Sequence, residues 1–501
     1  MDKDKLTQKL NTIFIYLSIL VCDFLFLKKY IDFDLFFDIR SAEDILKYGL
    51  DFKDHMSMFD GLKYYYHHWL YDLLIYPIFK LGGFKLVFIF FYIIFVLLTI
   101  LVYKFLKNKT NSKFVSFISV LVLAITIGDA FFPRVKCLGY LLMFIQFVSI
   151  YNLYTKGEVK YSIISIILSI LLVNLHFPLW MLVPIFYLPY LAELIYDYIK
   201  NKFKIKIFDN KIKVNKCSNK KIFIITFIII LFTCFISPYG LIPYTFFLDM
   251  KPYYQDVYSH IREMYFVVII KNHEILLCLL YFIIFLTTNK KISFSNLCYL
   301  VGLGLFGLMY SRNVPYLLMY FIIIITWELF ENSKLDKYKF KRINLKVNKI
   351  IIYIFSIILL ICGFIVGIND VGFNAYKYGA PDGMIPFKIT DYIVDNLDYK
   401  NLKFYNTFDT GSYLAFKHIP TFIDTRVEVF LKKFNGKEDI MLDYYKYSPK
   451  KLIDKYKFDY FIVNSDSDMY DYLIENNYEL ITSEKEYFYL FKNNIIEEER
   501  K

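Results

Sequence analysis

Long apolar runs alternate with short polar segments along the chain, and most runs have the length of a bilayer-spanning helix. A helix needs roughly 20 residues to cross the hydrocarbon core. Backbone amides cannot stay unpaired in hydrocarbon, so these runs predict helices and exclude a membrane β-barrel. The predicted spans are residues 11–27, 84–106, 114–132, 137–155, 159–175, 177–198, 221–236, 266–288, 293–310, 313–330 and 349–369.

One polar stretch, residues 30–69, is too long to be a plain connector between spans. It contains eight acidic residues against four basic ones and ends in His67, His68 and Trp69. Loops much longer than a dozen residues are usually functional or disordered. Apolar residues recur in it at helical spacing, which predicts a short surface helix and an ordered loop. These apolar residues are Ile39, Ala42, Ile45, Leu46 and Leu50.

The composition places the chain in the polytopic membrane class. Hydrophobic residues make up 57% and aromatic residues 21% of its 501 residues, which excludes an ordinary soluble domain. The net charge of +12 does not indicate nucleic-acid binding, because lysines cluster in loops 200–221 and 334–349, as in cytoplasmic loops. The first run is followed by Lys28 and Lys29 and no cleavage site, which predicts a retained span.

The two basic loops determine the predicted topology. Both are cytoplasmic if the N-terminus is inside and residues 68–82 make no net crossing, as an interfacial or re-entrant helix. We therefore predict eleven crossings of the cell membrane, with the C-terminus outside. This topology places the acidic loop and several polar helix ends on the outer face, where ionisable groups indicate function. The candidate residues at helix ends are Arg134, Asn174, His176, Arg262, Glu263 and Arg312.

From residue 371 the composition changes to shorter apolar runs and more charge. Residues 1–370 are predicted to form a multi-pass transmembrane domain, and residues 371–501 a small extracytoplasmic α/β domain. Its predicted strands are 402–408, 421–424, 460–465, 478–484 and 487–493, the last two as a hairpin, and its predicted helices are 389–397, 448–456 and 468–477. No glycine-rich phosphate-binding motif is present.

The acidic and basic residues of the predicted outer face suit one kind of chemistry at a membrane surface. Transfer of a sugar from a lipid phosphate needs a carboxylate that takes the proton of the acceptor hydroxyl, and cations that steady the leaving phosphate. Asp34 lies just past the first span, and Asp54 follows after the predicted helix. The arginines at helix ends suit a phosphate. The alternative for Asp34 is that it caps a helix beginning near Leu35.

Ten short sequence motifs are distributed over most of the chain. They are Asp34-Leu-Phe-Phe, Glu43 to Gly49, Asp54-x-x-Ser57, His68-Trp69-Leu70, Gly82-Gly83, Asn174-Leu175-His176, Ser237-Pro238-Tyr239-Gly240, Arg312-Asn313, Asn406 to Leu414, and Phe422 to Arg426. Together they resemble bacterial multi-pass glycosyltransferases of the GT-C superfamily, in particular family 39-like enzymes. Three positions depart from that pattern: His68 replaces an acidic residue, Ser237 replaces Asn, and Thr425 replaces Gly.

The resemblance implies an inverting membrane glycosyltransferase. Its donor would be a polyprenyl-phosphate-linked sugar, and its acceptor a glycan, lipid or protein of the cell envelope. By resemblance, Asp34 is the catalytic base and Asp54 its partner. The substrate-binding candidates are His68, Arg134, Asn174, His176, Arg262, Glu263 and Arg312. Because some such enzymes use a divalent cation and others none, a divalent cation is a candidate cofactor and its ligands stay open.

Two other classes of function remain open. A transporter or lipid flippase would carry charges at mid-membrane and broken helices in paired repeats, and neither pattern is evident. A catalytically inert envelope assembly protein would bind a partner through its C-terminal domain. The histidine spacing disfavours zinc, since His67 and His68 would point about 100 degrees apart on a helix. Asp424 and Arg426 are predicted to pair structurally.

Overall fold

A computed structural model describes residues 3–27, 31–203, 211–267, 273–288, 290–331 and 385–494. The helices are α1 Lys3–Phe26, α2 Phe33–Tyr48, α3 Trp69–Thr110, α4 Lys113–Ile127, α5 Val135–Lys156, α6 Val159–Leu175, α7 Phe177–Trp180, α8 Leu182–Phe203, α9 Lys220–Phe232, α10 Ile242–Met250, α11 His273–Thr287, α12 Phe294–Met309, α13 Val314–Phe330, α14 Phe387–Asn396, α15 Phe408–Phe416, α16 Lys432–Asn435, α17 Ile440–Lys446, α18 Pro449–Tyr456 and α19 Asp468–Glu475. The predicted span 349–369, basic loop 334–349 and boundary at 371 lie outside the described residues.

Five helical segments are long and apolar enough to cross a membrane, consistent with a helical membrane protein. They are Trp69–Thr110, Lys113–Ala130, Val135–Lys156, Phe177–Phe203 and Ser311–Phe330. Shorter apolar helices are Asn11–Phe26, Val159–Leu175, Cys278–Thr287 and Phe294–Met309. The predicted span 221–236 is helix α9 followed by a 3-10 turn, Thr233–Ile236. The number of crossings and their sidedness stay predictions.

Helix α3 is interrupted at two glycines. Gly82 has φ −151° and ψ 18°, and Gly83 has φ 62° and ψ −160°, so neither is helical. The positive φ of Gly83 lies in a region that residues with a Cβ rarely adopt. The break falls where the sequence predicts a span to begin, at residue 84. The prediction that residues 68–82 make no net crossing of the membrane stays a prediction.

The chain divides into two compact units. The first consists of Met1–Lys29, Phe88–Pro243 and Ile261–Gly372, and the second of Tyr30–Val87, Tyr244–His260 and Phe373–Lys501. The acidic loop 30–69 therefore belongs to the same unit as the C-terminal strands. The predicted division into 1–370 and 371–501 as folding domains stays a prediction.

Hydroxyl pairs join apolar helices within the first unit. The Ser162 and Thr226 hydroxyl oxygens lie 2.6 Å apart, and one heptad further along the Ser169 and Thr233 oxygens lie 2.7 Å apart. The indole of Trp180 donates to both hydroxyls of the second pair, at 2.9 Å. Such hydroxyl contacts supply specificity where lipid offers no hydrophobic contrast. A pair of two-residue parallel strands, β1 Ile212–Lys213 and β2 Ile292–Ser293, also lies in this unit.

A four-stranded sheet lies in the second unit, in the order β3 Phe404–Asn406, β4 Tyr460–Asn464, β6 Phe488–Lys492 and β5 Glu479–Glu484. β3 and β4 are parallel, and the other neighbours are antiparallel. Buried side chains of helices and strands pack together beside it, including Ile389, Leu414 and Ile462. The predicted hairpin is confirmed, as are the predicted helices and four of the five predicted strands. That they form an independent α/β domain stays a prediction.

The predicted strand at 421–424 is wrong. Thr421 makes one isolated bridge, with Ser57, and the next residues are irregular. The Asn406 side chain takes the backbone bonds that a strand partner would make: its Oδ1 accepts from Phe422 N at 2.8 Å, and its Nδ2 donates to Ile423 O at 2.7 Å. A side-chain amide therefore replaces a ladder at this position.

The loop 30–69 is ordered and contains the predicted helix, α2. The helix is not a plain surface element, because Phe36 and Ile39 are fully buried on the face that packs against α15. The ring of Phe36 lies 5.1 Å from that of Tyr413. Further along the loop, Met58 N donates to Thr421 O at 2.8 Å. The loop is thus fixed to the C-terminal part of the same unit.

Candidate functional site

A cavity of about 160 Å³ lies at the ends of helices in the first unit. Arg134 is the N-cap residue of α5, and Arg312 lies in the 3-10 turn Ser311–Asn313 that precedes α13. The polar residues lining the cavity are Arg134, Lys136, Glu263, Ser311 and Arg312. The structure thus brings together three of the predicted binding residues, Arg134, Glu263 and Arg312, and adds Lys136, which the sequence reasoning missed.

Backbone contacts hold the two 3-10 turns of the cavity together. Ser311 N donates to Tyr265 O at 3.0 Å, and the Ser311 hydroxyl donates to Glu263 O at 2.9 Å. The ammonium of Lys136 donates to the carbonyl of Arg312. These bonds fix the segment around Glu263 against the start of α13. The backbone that carries Glu263 and Arg312 is therefore held in place by hydrogen bonds.

The cavity carries an excess of positive charge. Arg134 Nη1 lies 2.5 Å from Glu263 Oε1. Burial would raise the pKa of Glu263, but Arg134, Lys136 and Arg312 outweigh it and lower that pKa to about 2. Three cations against one carboxylate leave two positive charges. Ligand pockets for larger molecules start at about 300 Å³, so this cavity suits a small anionic headgroup such as a phosphate.

The other predicted binding residues of the first unit lie at the end of α6 and in a short turn. The Asn174 amide donates to Ile170 O at 2.9 Å and to Ile236 O at 3.1 Å, which ties the end of α6 to the 3-10 turn Thr233–Ile236 that follows α9. His176 is the half-buried C-cap residue of α6. Arg262 lies in the 3-10 turn Arg262–Met264, and its side chain is outside the described part. The side chains of Asn174 and His176 are not among those that line the cavity in the described part of the chain.

Asp34 is half-buried in the first turn of α2 in the second unit. The helix begins at Phe33 with Asp32 as its N-cap residue, so the alternative that Asp34 is the cap of a helix near Leu35 is wrong. Burial, and next to it the charge of Asp34, raise the pKa of Asp409 in α15. A second carboxyl, which the sequence reasoning missed, therefore belongs to the surroundings of the predicted base.

Asp54 is held in a buried ion network. Its Oδ1 lies 2.7 Å from Arg426 Nη1, and its Oδ2 accepts from Ser57 N at 3.0 Å. Burial alone would raise the pKa of Asp54, but Arg426 and the bonds from Ser57 lower it. Arg426 Nη2 also lies 2.6 Å from Asp424 Oδ2, so the predicted pairing of Asp424 with Arg426 is confirmed. This geometry gives no support to the predicted catalytic role of Asp54, which stays a prediction.

The adjacent histidines have different partners. His67 Nε2 lies 2.8 Å from Glu428 Oε1. Burial would raise the pKa of Glu428, but His67 lowers it. His68 Nδ1 lies 3.2 Å from Asp38 Oδ1 and 3.0 Å from Asp72 Oδ1. The second compact unit thus contains an acidic and histidine cluster beside the arginine network, since the charge of Arg426 also acts on Glu428.

Some of the residues that the sequence reasoning missed carry a local signal. Asp72 follows the predicted binding residue His68 by four positions at the start of α3, a spacing that places side chains side by side. Lys136 follows Arg134 by two residues at the start of α5. Asp38 and Glu428 carry no such signal, because their partners are distant in the sequence or on another element.

No family profile matches the sequence, and no curated protein is detectably similar to it. The short motifs are therefore the sole basis of the family resemblance. The membrane-compatible helices are independent of those motifs, whereas the cationic cavity shares Arg312 with the motif Arg312-Asn313.

Proposed function

We propose that the protein is a membrane glycosyltransferase of the cell envelope. It moves a hexosyl or pentosyl group from a polyprenyl-phosphate-linked donor to a glycan, lipid or protein acceptor on the outer face. The observation that carries the proposal is the cavity lined by Arg134, Lys136 and Arg312. A guanidinium fork matches a phosphate, and a polyprenyl phosphate presents such a group at the membrane surface.

The charge of the cavity suits the leaving group of this reaction. A sugar-linked lipid phosphate is a diester with one negative charge, whereas the released monoester carries about 1.5 to 2 at neutral pH. Two net positive charges in the cavity therefore stabilise the developing product more than the donor. Interactions that strengthen toward the transition state accelerate the chemical step.

Asp34 is the proposed base. In the transfer, the acceptor hydroxyl oxygen forms a bond to the anomeric carbon, and the bond from that carbon to the phosphate oxygen breaks. The hydroxyl proton passes to the Asp34 carboxylate, and the electron pair leaves with the lipid phosphate. Attack from the face opposite the leaving group inverts the anomeric centre.

Binding of a polyprenyl monophosphate to the full-length protein in detergent micelles tests the proposed phosphate site. Arg312→Gln should weaken binding about 10-fold or more, because a hydrogen bond to a charged group contributes about 1.5–3 kcal/mol. Glu263→Gln should tighten binding, because it adds one net positive charge. The matched control is Lys160→Gln, a lysine of the same unit that is 60% exposed and paired with Glu158.

Equal affinity in wild type, Arg312→Gln and Lys160→Gln would remove the cavity from the proposal. So would a polyprenyl alcohol without phosphate that binds as tightly as the monophosphate. Native mass spectrometry resolves the bound lipid and its stoichiometry in each case.

A further inference from the structure

Three side chains of metal-ligating types meet in the interior of the second unit. Asp38 lies on α2, His68 directly precedes α3, and Asp72 is in the first turn of α3. One ligand atom from each lies within 4.8 Å of those of the other two. All three side chains are buried, with relative exposures of 1%, 7% and 0%.

Hydrogen bonding within the cluster leaves one carboxyl unsatisfied. Nδ1 of a histidine carries at most one proton, and the His68 Nδ1 is in hydrogen-bonding geometry with Asp72 Oδ1 at 3.0 Å. Neither oxygen of Asp38 accepts a hydrogen bond from any described residue, and neither does Asp72 Oδ2. An ionised carboxylate without a partner is costly in a protein interior. The cluster therefore needs either a bound cation or an additional proton to balance the charge of its carboxyls.

The neighbouring charges point the same way. Asp38 is buried, and the charges of the Asp72, Asp34 and Asp32 carboxylates act on it together with that of His68. Asp38 thus lies among three other carboxyls with an imidazole as the chief compensating group. A bound cation would relieve this repulsion.

We propose that Asp38, His68 and Asp72 bind a divalent transition-metal ion through two carboxylate oxygens and His68 Nδ1. Bonds of about 2.1 Å place neighbouring ligand atoms about 3.0 Å apart in octahedral and about 3.4 Å apart in tetrahedral geometry. The separations of 3.0 and 3.2 Å from His68 Nδ1 to the two aspartates match this range. His68 would then carry its proton on Nε2.

The donor set selects the class of ion. Mg²⁺ and Ca²⁺ prefer oxygen ligands alone, whereas Mn²⁺ and Zn²⁺ accept an imidazole beside carboxylates. Two carboxylates and a neutral imidazole balance the charge of a divalent ion. The ion would hold α2, which carries Asp34, against the start of α3. The site does not depend on sugar transfer, so its failure would leave the proposed function untouched.

Metal binding to the purified full-length protein tests the proposal. After removal of metal with EDTA, Mn²⁺ is titrated and followed by electron paramagnetic resonance. Wild type should bind one Mn²⁺ per chain with the ¹⁴N coupling of a single imidazole. His68→Gln should lose that coupling, and Asp38→Asn should weaken binding at least about 10- to 100-fold, since even outer-shell changes cost that much. Zn²⁺ should displace the bound Mn²⁺.

His55→Gln is the matched control, because His55 pairs with Asp51 at 2.9 Å in the same unit but without a third ligand. It should bind Mn²⁺ as wild type does. Absence of stoichiometric Mn²⁺, or of imidazole coupling, in the wild-type protein overturns the proposal whether or not the variants fold. Binding that persists unchanged in both Asp38→Asn and His68→Gln also overturns it. In those cases a proton, not a metal, compensates the buried carboxyls.

Discussion

Replacing Arg426 with Met should strongly destabilise the second compact unit. Its guanidinium contacts Asp54 at 2.7 Å and Asp424 at 2.6 Å, and all three side chains are fully buried. It also lies 4.8 Å from the centre of the Tyr64 ring. Without the guanidinium, two carboxylates would stay in the interior with no counter-charge. Breaking a buried ion pair in this way costs about 3–5 kcal/mol.

The expected change in the midpoint of thermal unfolding follows from the size of the unit. The second unit contains about 200 residues. At that size, a loss of 1 kcal/mol lowers the midpoint by about 2–4 °C. Arg426→Met should therefore lower it by about 6–20 °C.

A temperature series with brief proteolysis of the full-length protein, detected through a C-terminal tag, measures this midpoint. The control is Lys446→Met, because Lys446 and Asp256 form a half-exposed pair at 2.8 Å. An exposed pair contributes about 1 kcal/mol or less. Exchanging Asp54 and Asp424 for asparagine in the Arg426→Met background should recover part of the loss. Equal midpoints for Arg426→Met and Lys446→Met would show that the buried network around Arg426 contributes no more to stability than an exposed ion pair.

Two further predictions concern the second unit. Gly411→Ala should lower the same midpoint, because the added Cβ would lie 2.0 Å from Ile423 O. Gly304→Ala in the first unit should not lower it, because nothing lies within 4 Å of the added Cβ there. Equal effects of the two changes would contradict this prediction. Burial raises the pKa of Asp44 to about 6, so the midpoint should rise as pH falls from 7 toward 4. Asp44→Asn should make that rise smaller but not remove it, because the pKa of Asp409 in the same unit is raised as well. Below about pH 4 the midpoint should fall, because Asp54, whose pKa is lowered, becomes protonated and loses Arg426. A midpoint that falls steadily from pH 7 would contradict the Asp44 argument.

Elements with strong local periodicity could be predicted from the sequence. The break before residue 84 and the helix in the acidic loop follow from glycine and from helical spacing of apolar residues. The strand at 421–424 could not be rejected, because the competing bonds come from Asn406, which lies outside the segment. Sequence patterns report a segment's own preference and carry no information on a distant side chain.

The candidate site residues could likewise be predicted from the sequence only where the signal is local. Arg134 and Arg312 could be selected because ionisable residues beside predicted spans indicate function and arginine suits phosphate, and they do share a cavity. The role of Asp54 depends on Arg426, which lies 372 positions away in the chain. Asp38 looks like any polar residue of an amphipathic helix until folding places it beside His68. Long-range charge pairing is therefore what the sequence alone could not supply.

Sugar transfer by the reconstituted full-length protein measures the proposed activity itself. Wild type and Asp34→Asn are supplied with a panel of polyprenyl-phosphate-linked hexoses and pentoses as donors and with a cell-envelope extract as the source of acceptor. The released polyprenyl monophosphate is measured. We expect release by the wild type with at least one donor and no release by Asp34→Asn, although that variant still binds the monophosphate. Release at the wild-type rate by Asp34→Asn, or none by the wild type with any donor and acceptor extract, would contradict this expectation.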